Sequence, residues 1–153
     1  AKLGVIAVIE ASTVKGDLYF APDRIGSERL KYAYLWKTLM DKGAHLTAGT
    51  DAPVEVGDPR VEFFSLIART DFNGFSTPDW HVEEKVSREQ ALKIMTLSAA
   101  YAAFQEDIRG SIQVGKKADF SVFDKDWMTI EPIEIMDSQT VMTIVDGKVT
   151  YQK

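Results

Sequence analysis

Asp51 stands in the run Gly49-Thr50-Asp51-Ala52-Pro53, directly after an apolar stretch carried by Leu46 and Ala48. A carboxylate just past the C-terminal end of a buried strand can coordinate a divalent ion and take a proton from metal-bound water, because the ion lowers that water's pKa toward neutrality. An Asp at such a position also commonly caps the next turn or helix, so position alone leaves both readings open. Partners are scarce. The only imidazoles are His45 and His81. Six residues of strand at about 3.3 Å each put His45 roughly 20 Å from Asp51, which assigns His45 to the opposite mouth of the sheet. His81 lies in a long loop and can swing toward Asp51 as a substrate contact or ligand, although a lone loop His is ordinarily just solvated.

Glu10 closes an earlier apolar stretch as Asp51 closes the later one, so the two acids can face one cleft as a carboxylate pair. A loop acid bonded to nearby backbone is the plainer reading. Asp23-Arg24 and Asp107-Arg109 offer anion or substrate contacts, Arg24 above all, but adjacent opposite charges are mostly local ion pairs. Trp80-His81 has the makings of a lid, while core packing is the default for Trp36, Trp80 and Trp127 alike. No Gly-rich phosphate loop, nucleophile elbow or Walker motif is present.

These residues need elements to position them. Val5 to Ile9 is apolar on both alternating faces, which predicts a strand covered on both sides, as in a parallel α/β sheet. Ser27 to Lys42 carries a helical pattern through Leu30, Tyr34 or Leu35, and Leu39, and Gly43 ends it. Ala44 to Thr50 reads as a second strand, completing a βαβ unit. Asp58-Pro59 opens a helix with Val61, Phe64 and Ala68 inward, and residues 70 to 86 form a long loop of the functional or mobile kind. Ser87 to Gln90 is a capping box, with a helix behind it to about Phe104 that turns Leu92, Met95 and Ala99 inward. Past Arg109 the period becomes strand-like, at Ala118 to Phe123 and then in a hairpin, Thr140 to Val145 and Lys148 to Gln152, turning on Asp146-Gly147. A boundary near Arg109 separates an α/β part from a β part.

Composition limits the classes. A chain of 153 residues holds one ordinary domain, or one with a small appendage, and cannot hold a complete large catalytic barrel. Hydrophobic residues at 45% with charged residues at 27% are enough for a core. A net charge of −5 offers no basic face, which argues against nucleic acid or an anionic membrane as partner. No cysteine is present, so thiolate metal sites and disulfides are impossible, which fits a cytoplasmic protein. The abrupt apolar start after Ala1-Lys2 suggests a piece of something longer.

Four motifs occur in order: Gly49-Thr50-Asp51-Ala52-Pro53, Ser87-x-x-Gln90-Ala91-Leu92, Ser98-Ala99-Ala100-Tyr101-Ala102, and Gly110-Ser111-Ile112-x-x-Gly115-Lys116-x-Ala118-Asp119. With Asp23-Arg24-Ile25-Gly26-x-Glu28-Arg29 and Val141 to Val149, this set resembles the C-terminal part of the metal-dependent amidohydrolases, in the branch of the YtcJ-like and N-substituted formamide deformylase proteins. The resemblance covers nearly the whole chain. It implies an α/β fold in which residues 1–108 are the C-terminal part of a (β/α)8 TIM barrel, its last two strands and helices. Residues 109–153 are then a segment of an accessory β-sandwich. It also implies that Asp51 is a metal ligand and general base in hydrolysis of a small molecule's carbon–nitrogen bond, with a divalent metal, zinc in the first place, in the intact enzyme. The first-strand His-x-His, the bridging Lys or Glu and the middle-strand histidines of that family have no counterpart. A whole barrel takes about 250 residues. The chain is therefore expected to be inactive alone, to hold no stoichiometric metal, and to pair with the missing N-terminal part of the barrel or with another copy. The competing expectations are a non-catalytic binding module that self-associates through its half-barrel face, and a small α/β enzyme using Glu10 and Asp51.

Overall fold

The computed structural model describes residues Ala1–Lys153. Strand β1, Ala7–Glu10, leads through a 3-10 turn at Ala11–Thr13 into four short helices: α1 Val14–Asp17, α2 Ala21–Ile25, α3 Ser27–Leu30 and α4 Trp36–Asp41. Strand β2, Leu46–Gly49, returns beside β1 and parallel to it, with Ala7 opposite Leu46 and Glu10 opposite Gly49. The βαβ unit read from the sequence is present. Its helical part differs from expectation, because one helix from Ser27 to Lys42 is interrupted. Tyr34 adopts a left-handed φ of 56°, which ends helical pairing. There the Tyr34 hydroxyl donates to Asp17 Oδ2 at 2.7 Å and its ring packs on Trp80 at 4.9 Å between centroids.

Helix α5, Pro59–Ala68, begins as its sequence dictates: Asp58 caps it by accepting from the Arg60 N–H at 2.9 Å, and Pro59 takes the first helical position. Its burial is wider than the expected stripe, since every residue from Val61 to Ile67 is buried. After a 3-10 turn at Val82–Glu84 come α6, Arg88–Met95, and α7, Leu97–Ala102. Ser87 and Gln90 form the capping box reciprocally, at 3.1 and 2.8 Å. The single helix expected to Phe104 is broken at Thr96, whose φ and ψ of −123° and −82° are not helical. The inward face is also shifted from the reading above. Ala91 and Ile94 are buried, whereas Leu92 remains 46% exposed.

Three antiparallel strands form the tail: β3 Phe120–Phe123, β4 Thr140–Val145 and β5 Lys148–Gln152, in that spatial order. Asp146 and Gly147 turn the β4–β5 hairpin at φ of 50° and 77°, the geometry that an Asp-Gly pair accommodates. The tail is stitched to the helices by arginines. Arg60 Nη1 donates to the Met136 and Ser138 carbonyls at 3.1 and 2.8 Å, and Arg88 donates to the Trp127 and Ile130 carbonyls. A 3-10 turn at Pro132–Asp137 thereby carries Ile135 into the same core as Leu46, Phe63, Leu66 and Trp80.

The parallel sheet has only its two strands. Ala7, Ile9, Leu46 and Ala48 share the face that packs on the core. Val8 lies on the other face and is 66% exposed, so β1 is covered on one side, not two, whereas its partner Thr47 on that same face is buried and donates to the Ile94 carbonyl of α6 at 3.1 Å.

Candidate functional site

The C-terminal ends of β1 and β2 lie side by side, since Glu10 pairs with Gly49. Two residues beyond Gly49, Asp51 is exposed in a turn at a left-handed φ of 50°, a conformation that Asp tolerates better than most residues. Its carbonyl accepts from the Val54 N–H at 2.8 Å. Its carboxylate takes no hydrogen bond from the protein. Asp58, not Asp51, caps the following helix, which removes the simplest structural use for Asp51.

Behind this turn lies a group of residues not singled out in the sequence. Lys15 Nζ donates to Glu55 Oε2 at 2.7 Å and to the Ser12 carbonyl at 3.1 Å. Glu62, on α5 and only 2% exposed, accepts from the Ser12 N–H at 3.1 Å. Burial raises the Glu62 carboxyl above its ordinary range, and the Ser12 bond opposes that shift in part. The one sequence signal for Glu62 is an acid set between Val61 and Phe63-Phe64.

The remaining candidates are dispersed. His45 is at the opposite end of the sheet, where its carbonyl accepts from the Ala7 N–H at 2.8 Å and its ring stacks on Tyr101 at 4.4 Å. His81 has a left-handed φ of 53°, opens the Val82–Glu84 turn, and places Nδ1 2.9 Å from Glu83 Oε1. Arg24 is exposed on α2. The flanks of that helix touch the long loop, Tyr19 donating to Asp71 Oδ2 at 2.5 Å and Ser27 to Asp79 Oδ2 at 3.3 Å. Arg109 pairs with Asp119 at 3.8 Å and not with Asp107. Trp80 is no lid. It is 0% exposed in the core, and Val86 N–H bonds the Leu66 carbonyl at 3.0 Å, so the end of the loop is held against α5.

Arg69, also missed, closes α5 at φ 57° with its guanidinium buried 4.6 Å from the Trp36 ring centroid and 5.9 Å from that of Trp80. Its Nε donates to the Trp80 carbonyl at 3.2 Å. Desolvation pushes its pKa down to about 10, opposed chiefly by Glu84. The cation is a structural member of the core.

No group of three or more His, Asp or Glu side chains gathers closely enough to hold a metal ion. Asp51 is a single anionic donor, so these residues do not make a metal site by themselves.

Comparison with known proteins defines the class. The fold superposes on a metal-dependent hydrolase from Pyrococcus horikoshii with a TM-score of 0.73 at 26% identity, over 86% of this chain and 26% of that one. The amidohydrolase family profile matches residues 1–151. The chain belongs to the amidohydrolase family. It is 30% identical over its whole length to YtcJ of Bacillus subtilis strain 168, which carries the name of an amidohydrolase. It is 28% identical over 118 residues, 76% of the chain, to the N-substituted formamide deformylase of Arthrobacter pascens. It spans 29% and 21% of the lengths of these two relatives.

Proposed function

We propose that the chain is the C-terminal portion of a metal-dependent hydrolase that cleaves an amide-type carbon–nitrogen bond, other than a peptide bond, in a small molecule. In this reading β1 and β2 are the last two strands of a (β/α)8 barrel within residues 1–108, and residues 109–153 are a segment of an accessory β-sandwich. Asp51 is the resident reactive group. It takes a proton from the attacking water and returns it to the leaving nitrogen as the carbon–nitrogen bond breaks. It is also one ligand of a divalent ion, zinc, whose other ligands are supplied from outside these 153 residues, so the chain alone is inactive. Arg24 and His81, one on α2 and one in the long loop, are the substrate contacts.

The observation that carries this reading is an exposed carboxylate, free of protein partners, two residues past the end of a parallel strand. The family and the relatives' names support the chemistry. The test is Asp51→Asn in the complete protein. Asn also tolerates positive φ and Asp51 has no packing role, so stability is expected to stay within about 0.5 kcal/mol while turnover of small N-substituted amides falls by about 10²-fold or more. Full turnover in the variant contradicts the assignment.

One observation favours a second reading, self-association. Both outer edges of the β1–β2 sheet are unpaired, and Val5 and Val8 are each 66% exposed. Unpaired ladders and apolar faces favour contact with another copy. Light scattering at tens of micromolar is expected to show dimers or larger species, and a clean monomer removes this reading.

A further inference from the structure

The turn that carries Asp51 has few ties to the rest of the molecule. Residues 51–54 are exposed. Within the turn, the Val54 N–H bonds the Asp51 carbonyl at 2.8 Å, and the two ends approach so closely that a Cβ on Gly57 would lie 3.2 Å from that of Ala52. The turn's side-chain tie to the body of the protein is Glu55, held by Lys15 at 2.7 Å. Both side chains retain only 21% of their exposure, so water competes for the pair less than at an open surface.

Lys15 does more than neutralise Glu55. The same ammonium donates to the Ser12 carbonyl, and the Ser12 N–H is held by buried Glu62. A continuous series of bonds, Glu55 to Lys15 to Ser12 to Glu62, therefore joins the turn after β2 to the turn after β1 and anchors both on α5. An ammonium has three donors, enough to serve both acceptors at once. We propose that Lys15 and Glu55 are positioning residues that fix the Asp51 turn relative to the end of β1, so that the Asp51 carboxylate is presented in one orientation. Neither touches the reacting atoms. They act through the backbone between Asp51 and Glu55.

The inference rests on Asp51 being the reactive carboxylate, but its first test does not. In the chain as it stands, amide order parameters for residues 54–57 are expected near 0.85, falling below about 0.6 in Lys15→Met and in Glu55→Gln, with β1 and β2 unchanged. Lys15→Arg, which keeps a cation able to donate to both Glu55 and the Ser12 carbonyl, is expected to retain most of the order. Unchanged order in both Lys15→Met and Glu55→Gln overturns the proposal, and so does an equal loss across the sheet, which would make the pair a support of the whole fold. In the complete protein, Glu55→Gln is expected to lower kcat on the order of tenfold or more with KM nearly constant, as misplacing a reactive group does, while Lys15→Arg keeps a kcat near that of the wild type. A wild-type kcat in both Lys15→Met and Glu55→Gln also overturns it. Loss of the Asp51 assignment shows separately, as full turnover in Asp51→Asn alongside an intact order-parameter result.

Discussion

Asp51, Glu62 and Arg69 show how differently one chain treats its charges. The place of Asp51, just past the end of β2, was legible in the sequence because Gly and Pro flank it at the end of an apolar strand pattern. Glu62 and Arg69 were not. Helix α5 is buried nearly all round, so its period does not separate an inner acid from an outer one. Arg69 acquires its role only when Trp36 and Trp80, distant in sequence, close over it. The Glu62 carboxyl, raised above 4.5 by burial, makes a signed prediction. The folded state holds its proton more tightly than the unfolded state, so its contribution is fully present below the unfolded pKa and is lost as pH rises through the folded value. Urea midpoints from pH 4 to 7 are therefore expected to show Glu62→Gln gaining on the wild type as pH rises. Asp58 behaves oppositely, because its bond with Arg60 lowers its carboxyl below 3.8. Its contribution is present above 3.8 and is lost as pH falls through the folded pKa. A constant difference between Glu62→Gln and wild type across that range contradicts the burial account.

At the scale of elements, Gly110 makes the sharpest prediction. A Cβ there would lie 2.6 Å from the Ala100 Cβ and 3.1 Å from the Leu97 Cα, at a φ of +88° that L side chains rarely adopt. Gly110→Ala is expected to cost at least about 2 kcal/mol in chemical denaturation, and a cost under about 0.5 kcal/mol contradicts this close approach. The same contact clarifies what sequence pattern could and could not reveal. Caps and turns were readable because a few adjacent residues decide them: Ser87 with Gln90, Asp58 with Pro59, Asp146 with Gly147. The breaks at Tyr34 and Thr96 were not, because distant residues shape their surroundings. Tyr34 reaches Asp17 and Trp80, while Gly110 packs against Leu97 and Ala100 beside the Thr96 joint. Periodicity alone ran both helices through those points and turned Leu92 inward, where Ala91 and Ile94 belong.

For the molecule as a whole, one core continues from the parallel sheet through α5 and α6 into the connection between β3 and β4, by way of Ile135. A βαβ unit and a hairpin-bearing tail could be read from hydrophobic pattern. The broad burial of α5 and the exposed face of β1 could not, since both depend on what packs beside them. No helix is long and apolar enough to cross a membrane. In the proposed function Asp51 is one ligand of a coordination sphere completed outside these residues. Elemental analysis of the purified, zinc-equilibrated chain tests it most directly. Divalent metal is expected far below stoichiometric, with no difference between wild type and Asp51→Ala. One tightly held ion per chain, lost in Asp51→Ala, contradicts it and establishes an independent site.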